Sequence, residues 1–147
     1  MEQGLLHLHN LLRWIILLLL PICLFQAFAK NRGIARTSLF LLIAAHITFV
    51  IGIYQWFSSS KVGLAILKNM EYNFGAVMKD SFARFWVVEH FVGMIIAIAL
   101  ITVGRGKAKR FQYKPAAWLF LLALIIIIAV VPWPFRQLIA RPWFPGM

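Results

Sequence analysis

The run Leu5-Leu-His7-Leu-His9-Asn-Leu-Leu-Arg13-Trp14-Ile-Ile-Leu-Leu-Leu-Leu-Pro21-Ile-Cys23-Leu-Phe-Gln-Ala-Phe-Ala29 decides what kind of protein this chain is. It is apolar for long enough to cross a bilayer as a helix, which takes about 20 residues. A secretory signal would carry a basic leader and a small-residue cleavage site. Here Glu2 is the sole charge before Arg13, and the basic flank Lys30, Arg32, Arg36 follows the run. The stretch therefore reads as a retained helix that inserts with its N-terminus outward. Three more stretches share its character, so spans are predicted at 5–29, 37–57, 82–103 and 116–138. Trp14, Trp56, Trp86, Trp118 and Trp133 fall near span ends, where indole rings anchor at the membrane interface. Membrane β-strands are short and alternate in polarity, so continuous runs predict an all-α protein, a four-helix bundle embedded in the membrane as a single domain.

Composition agrees. Of 147 residues, 63% are apolar and 13% charged, against roughly 25% charged in a soluble domain, and the mean hydropathy is +0.85. A soluble enzyme and a disordered chain are both excluded. The charge is lopsided, with Lys+Arg 15, Asp+Glu 4 and a net +11. Lys30, Arg32 and Arg36 lie between the first two spans. Arg105, Lys107, Lys109, Arg110 and Lys114 lie between the last two. The positive-inside rule puts both loops in the cytoplasm, and both termini then face outward to the periplasm. This accounts for most of the basic excess without any nucleic acid partner. Cys23 is the lone cysteine, so no internal disulfide forms. No Cys-x-x-Cys-His, P-loop or nucleotide-binding glycine motif is present. The outer loop from Ser58 to Ser81 predicts a short interfacial helix over Val62–Leu67 and an outward extension of span three over Gly75–Ser81, with Asp80 and Arg84 paired at i, i+4.

Ionisable groups inside spans are costly and mark functional sites. They are His7, His9 and Arg13 in span one, His46 in span two, Glu89 and His90 in span three, and Arg136 closing span four. All four histidines lie within or beside spans. At ~1.5 Å per residue, His46 sits about 15 Å from the cytoplasmic charges, His90 about 22 Å, Arg13 about 25 Å, and His9 and Arg136 about 31–33 Å. Two pairings follow. Arg13 and Glu89 share a depth and are expected to form an ion pair. His46 and His90 are expected to ligate one haem iron from opposite sides, since bundle cores are where facing imidazoles build such sites. His7 and His9 point to different faces. His9 shares a face with Arg13 and is the alternative ligand, with His7 behind it. His90, Gly93 and Ala97 make a small-residue stripe suited to a flat macrocycle, although such stripes also serve helix packing. Arg13, Arg84 and Arg136 gather toward the outer side and are expected to hold the carboxylate propionates, while Glu89 tunes or pairs locally.

The tail repeats one chemistry twice, as Pro132-Trp133-Pro134-Phe135-Arg136 and Arg141-Pro-Trp143-Phe144-Pro145. The prolines end span four. Both motifs read as interfacial anchors or as a groove for a quinone headgroup or a partner's haem.

Several of these pieces also resemble a family. His7-Leu-His9-Asn-Leu-Leu-Arg13-Trp14, Ala45-His46-x5-Gly52-x-Tyr54, Arg84-Phe-Trp-x2-Glu89-His90, Ile98-Ala-Leu-Ile-Thr-Val-Gly104 and Pro132-Trp133 are similar to small four-helix bacterial membrane proteins labelled cytochrome b or cytochrome b-like. The resemblance touches all four spans and implies histidine-ligated, non-covalent haem b and electron transfer in a bacterial inner membrane. The expected function is an electron relay rather than an independent enzyme, in contact with lipid and with quinone or a respiratory subunit. The alternative is a haem-free structural or assembly subunit of a larger membrane complex, its polar residues serving as interhelical glue.

Overall fold

The computed structural model describes residues 1–144, and every regular element among them is helical. Pro145 of the second tail motif lies outside the described residues. In chain order the helices are α1 (Glu2–Phe28), α2 (Ile34–Ser58), α3 (Leu64–Asn69), α4 (Phe74–Lys79), α5 (Ser81–Ala108) and α6 (Tyr113–Val130). α1, α2, α5 and α6 are long and apolar enough to cross a membrane, the pattern of a multi-pass membrane protein.

The long helices pack mainly as neighbours in a ring. α1 lies on α2 and α6, and α5 lies on the same two, so α1 and α5 face each other across the space between. Small residues make the close approaches: Ala44, Ala45, Ala97, Ala108, Ala116 and Ala123 are all buried. A Cβ at Gly104 would come within 2.8 Å of the Phe120 ring. Such residues let helix backbones approach where the solvent is lipid. The outer surfaces are apolar instead of charged, with Leu18, Phe25, Val50, Trp118 and Ile125 all exposed. A water-soluble protein seldom presents so continuous an apolar exterior. It is compatible with contact to a bilayer.

Two short turns join α1 to α2 and α5 to α6. Each is closed by a left-handed residue, Lys30 (φ 51°) and Phe111 (φ 55°), with the helix-ending bonds Asn31 N–H to Gln26 O and Gln112 N–H to Lys107 O. That is the usual way to satisfy a helix's last carbonyls and reverse the chain. The Arg32 guanidinium carbon lies 4.3 Å from the Phe111 ring centre, which shows that both turns and their basic residues occupy one end of the molecule.

The opposite end departs from the sequence expectations. α6 stops at Val130 instead of reaching Leu138, because Pro132 and Pro134 supply no N–H to the carbonyls of Ile128 and Val130. The predicted short helix of this loop forms at Leu64–Asn69, slightly later than expected. The expected extension of span three is a separate helix, α4. Asp80 leaves helical geometry (ψ 119°), and its Oδ1 caps α5 by accepting from Ala83 N at 2.7 Å. Capping employs the aspartate, and the predicted Asp80–Arg84 pair does not form. Within α5, Phe85–Glu89 winds as a π-turn, whose wider register brings residues i and i+5 together. Arg84 Nε accordingly bonds Glu89 Oε1 at 2.7 Å.

Candidate functional site

At the end away from the basic turns, the space between α1 and α5 opens into a cavity of about 550 Å³. This is within the range of about 300–1,000 Å³ usual for small-molecule and cofactor sites. Its deep wall is aliphatic, from Ile16, Met94, Ile98, Ile101 and Ile127; its mouth carries Glu2, Gln3, Gln55 and Lys61. Its central polar groups are His9 and Arg13 on α1, Thr48 on α2, His90 on α5 and Arg141 on the tail.

His90 is the best-fixed of these. Directly after the π-turn it projects toward α1, and its Nδ1 lies 2.8 Å from Val130 O. That carbonyl is free because Pro134, four residues on, has no N–H to give it. A carbonyl only accepts, so Nδ1 carries a proton, and in the neutral ring Nε2 is left with a bare lone pair. Metal-ligating histidines are commonly oriented in this way, by donating their other ring N–H to a backbone carbonyl. Pro132 has the parallel effect, and the carbonyl of Ile128 accepts from Trp133 Nε1 at 2.8 Å.

Across the cavity stands His9. The two imidazole centres are 6.4 Å apart with 59° between their planes. A ring nitrogen about 2 Å from a metal puts the ring centre roughly 3 Å from it. The observed spacing of the ring centres leaves room for one metal between them. His9 Nδ1 is buried and has no hydrogen-bond partner, a state that ordinarily costs about 1–3 kcal/mol, although the ring makes a backbone hydrogen bond at Thr48. Room for the ring comes from Gly52 on α2, where a Cβ would sit 3.3 Å from His9 Cε1. Larger side chains would press the imidazole out of place. Among the described residues, no group of three or more His, Cys, Asp or Glu side chains gathers to hold a metal, so the donors available here are the two imidazoles.

The other predicted site residues are distributed differently. His46 is exposed on the outer face of α2, its Nδ1 2.9 Å from Leu42 O of its own helix, and it does not line the cavity. His7 lines the cavity mouth. Gly93 packs against α6, where a Cβ would meet Val130 Cγ1 at 2.7 Å, and it does not line the cavity. The expected Arg13–Glu89 pair is not made. Glu89 follows a different face of α5 from His90, because adjacent helical residues point about 100° apart, and it takes Arg84 as its partner. Arg84 also donates to Met78 O at 2.9 Å. Arg136 lies 5.0 Å over the Phe85 ring and donates to Ala129 O at 3.1 Å. Both arginines line a separate shallow groove with Glu89, so Arg84 and Arg136 do not reach the main cavity.

Sequence reasoning missed the role of the tail. Residues 141–144 fold back over α1. Arg13 donates to Pro142 O at 3.2 Å and to Trp143 O at 3.1 Å. Asn10 Nδ2 reaches Pro142 O at 3.3 Å, and Trp14 Nε1 donates to Trp143 O. Trp143 and Phe144 stack on Trp14 with centres 6.0 and 5.9 Å away. The signal was available in the two spaced Arg/Trp/Pro motifs, but prolines abolish the periodicity by which a strap could be oriented. Comparison with protein-family models, curated proteins and solved structures finds no match for this chain.

Proposed function

We propose that this protein is a four-helix membrane bundle that carries electrons through a non-covalently bound haem b ligated by His9 and His90. The observation that carries the reading is the pair of imidazoles facing each other at 6.4 Å on non-adjacent helices. A haem b held between them supplies one-electron redox chemistry at its iron. The chain's own residues do the rest. Val130 O orients His90, Gly52 clears space for His9, and the aliphatic deep wall excludes water from the site. His46, the expected partner of His90, gives way to His9 in this reading because it points outward.

The same reading sets the topology. The end carrying Lys30, Arg32, Arg36 and the loop from Arg105 to Lys114 faces the cytoplasm of a bacterial inner membrane. Both termini and the cavity mouth face outward. Phe135, Trp143 and Phe144 are exposed at that end and form the surface where a quinone or a respiratory subunit exchanges the electron. Protein expressed with ample haem and purified in mild detergent should show Soret and α bands in a reduced-minus-oxidised spectrum. Their absence would end the cytochrome reading and favour a haem-free assembly subunit.

A further inference from the structure

Two guanidiniums, those of Arg13 and Arg141, lie on the wall of one largely apolar cavity. Arg13 is only 8% exposed, and Arg141 is half-buried. The ion pair formed among the described residues is Arg84–Glu89, so neither of these arginines has a carboxylate partner there. A buried charge without a counter-charge costs several kcal/mol. Burial lowers the Arg141 pKa, yet arginine does not shed its proton in proteins. Two such charges lining one cavity call for an anion.

Their existing contacts leave capacity for one. Arg13 spends one terminal nitrogen on the strap carbonyls, while its Nε is buried with no partner. The Arg141 guanidinium carbon lies 4.8 Å over the Trp86 ring, which supports the charge without using its N–H donors. Arg141 is set in place from both sides. Its own N–H bonds Pro132 O at 3.2 Å, and the next two carbonyls are held by Asn10, Arg13 and Trp14. The strap thus aims one cation into the cavity and is fastened by the other.

We propose that Arg13 and Arg141 form a clamp for the carboxylate groups at the edge of the cavity's ligand, with the C-terminal strap supplying half of it. The inference rests on the haem reading for the ligand's identity, since haem b carries two propionates along one edge. Arginine suits the task because its planar fork matches a carboxylate with two parallel hydrogen bonds.

Haem b and its dimethyl ester, which lacks the negative charges, separate the two ideas. Each is titrated into the haem-free full-length protein in detergent, following the Soret band and the low-spin signature. Wild type should bind the ester about tenfold or more weakly. Arg141→Gln should bring the ratio toward one, and Arg141→Lys should keep part of it. The variants also correct for the ester's greater solubility in detergent, and circular dichroism verifies their fold. If Arg141→Gln does not fold, Arg141→Lys, which should keep only part of the ratio, supplies that correction. Equal binding of both compounds with intact low-spin spectra overturns the clamp and leaves the haem reading standing. A ratio unchanged in a folded Arg141→Gln protein removes Arg141 from it. No low-spin spectrum with either compound overturns both.

Discussion

Replacing His9 with alanine is expected to abolish the low-spin spectrum of the haem-loaded protein, as is replacing His90, while His46→Ala leaves it unchanged. The asymmetry comes from helix azimuth. His9 and His90 line one cavity from opposed helices, whereas His46 faces outward and bonds its own helix. Loss of a metal ligand should cost more than the roughly 10–100-fold in affinity typical of an outer partner. Haem titration of each alanine variant, with circular dichroism to verify the fold, measures this. The remaining imidazole would give a weak, high-spin complex. Low-spin haem surviving in His9→Ala and lost in His46→Ala would reverse the ligand assignment.

The largest loss of stability is expected from Gly63→Ala, just before α3. Gly63 adopts φ +61° and ψ −122°, a conformation that residues with a Cβ rarely adopt. An added Cβ would also lie 2.3 Å from Trp56 O and 2.9 Å from Trp56 Cα. The obstacle is backbone, so it cannot turn aside. The backbone conformation alone costs about 1–3 kcal/mol, and the clash adds to it. The consequence reaches the site, because Trp56 lines the cavity and its Nε1 donates to Val87 O in the π-turn at 3.3 Å. Displacing Trp56 loosens the turn that presents His90. A fall in Tm of several degrees in detergent, with weakened haem retention, is the expected result; Gly75→Ala, on an exposed glycine whose added Cβ would be in ordinary contact at 3.4 Å, is the matched control.

The four long helices were legible because membrane crossing depends on length and polarity, both of which can be counted. Depth was legible only coarsely: counting residues at ~1.5 Å each put His9 about 9 Å beyond His90, whereas their rings stand 6.4 Å apart. Azimuth was not. Glu89 and Arg13 share a depth, yet Glu89 is one residue from His90 and so turns away from the cavity. His46 is likewise one residue from Ala45, and Ala45, Thr48 and Gly52 form the small-residue face that lines the cavity. Its companions Ile43, Ile47 and Val50 are exposed, and that bulky face was the available clue that His46 points outward. The π-turn left no mark in the sequence, having neither proline nor glycine within Phe85–Glu89. The prolines at 132 and 134 were read as ending span four, yet the span was drawn to residue 138; the helix stops at Val130, before both. The carbonyls they release, one for Trp133 and one for His90, follow from the same chemistry carried one step further.

In the proposed function, His9 and His90 share one metal centre. Near-infrared magnetic circular dichroism of the purified ferric protein, with haem quantified against chain, tests it most directly. One haem per chain with two imidazole ligands is the expected result. A high-spin or mixed-ligand signature, or a second haem bound equally well, would contradict it.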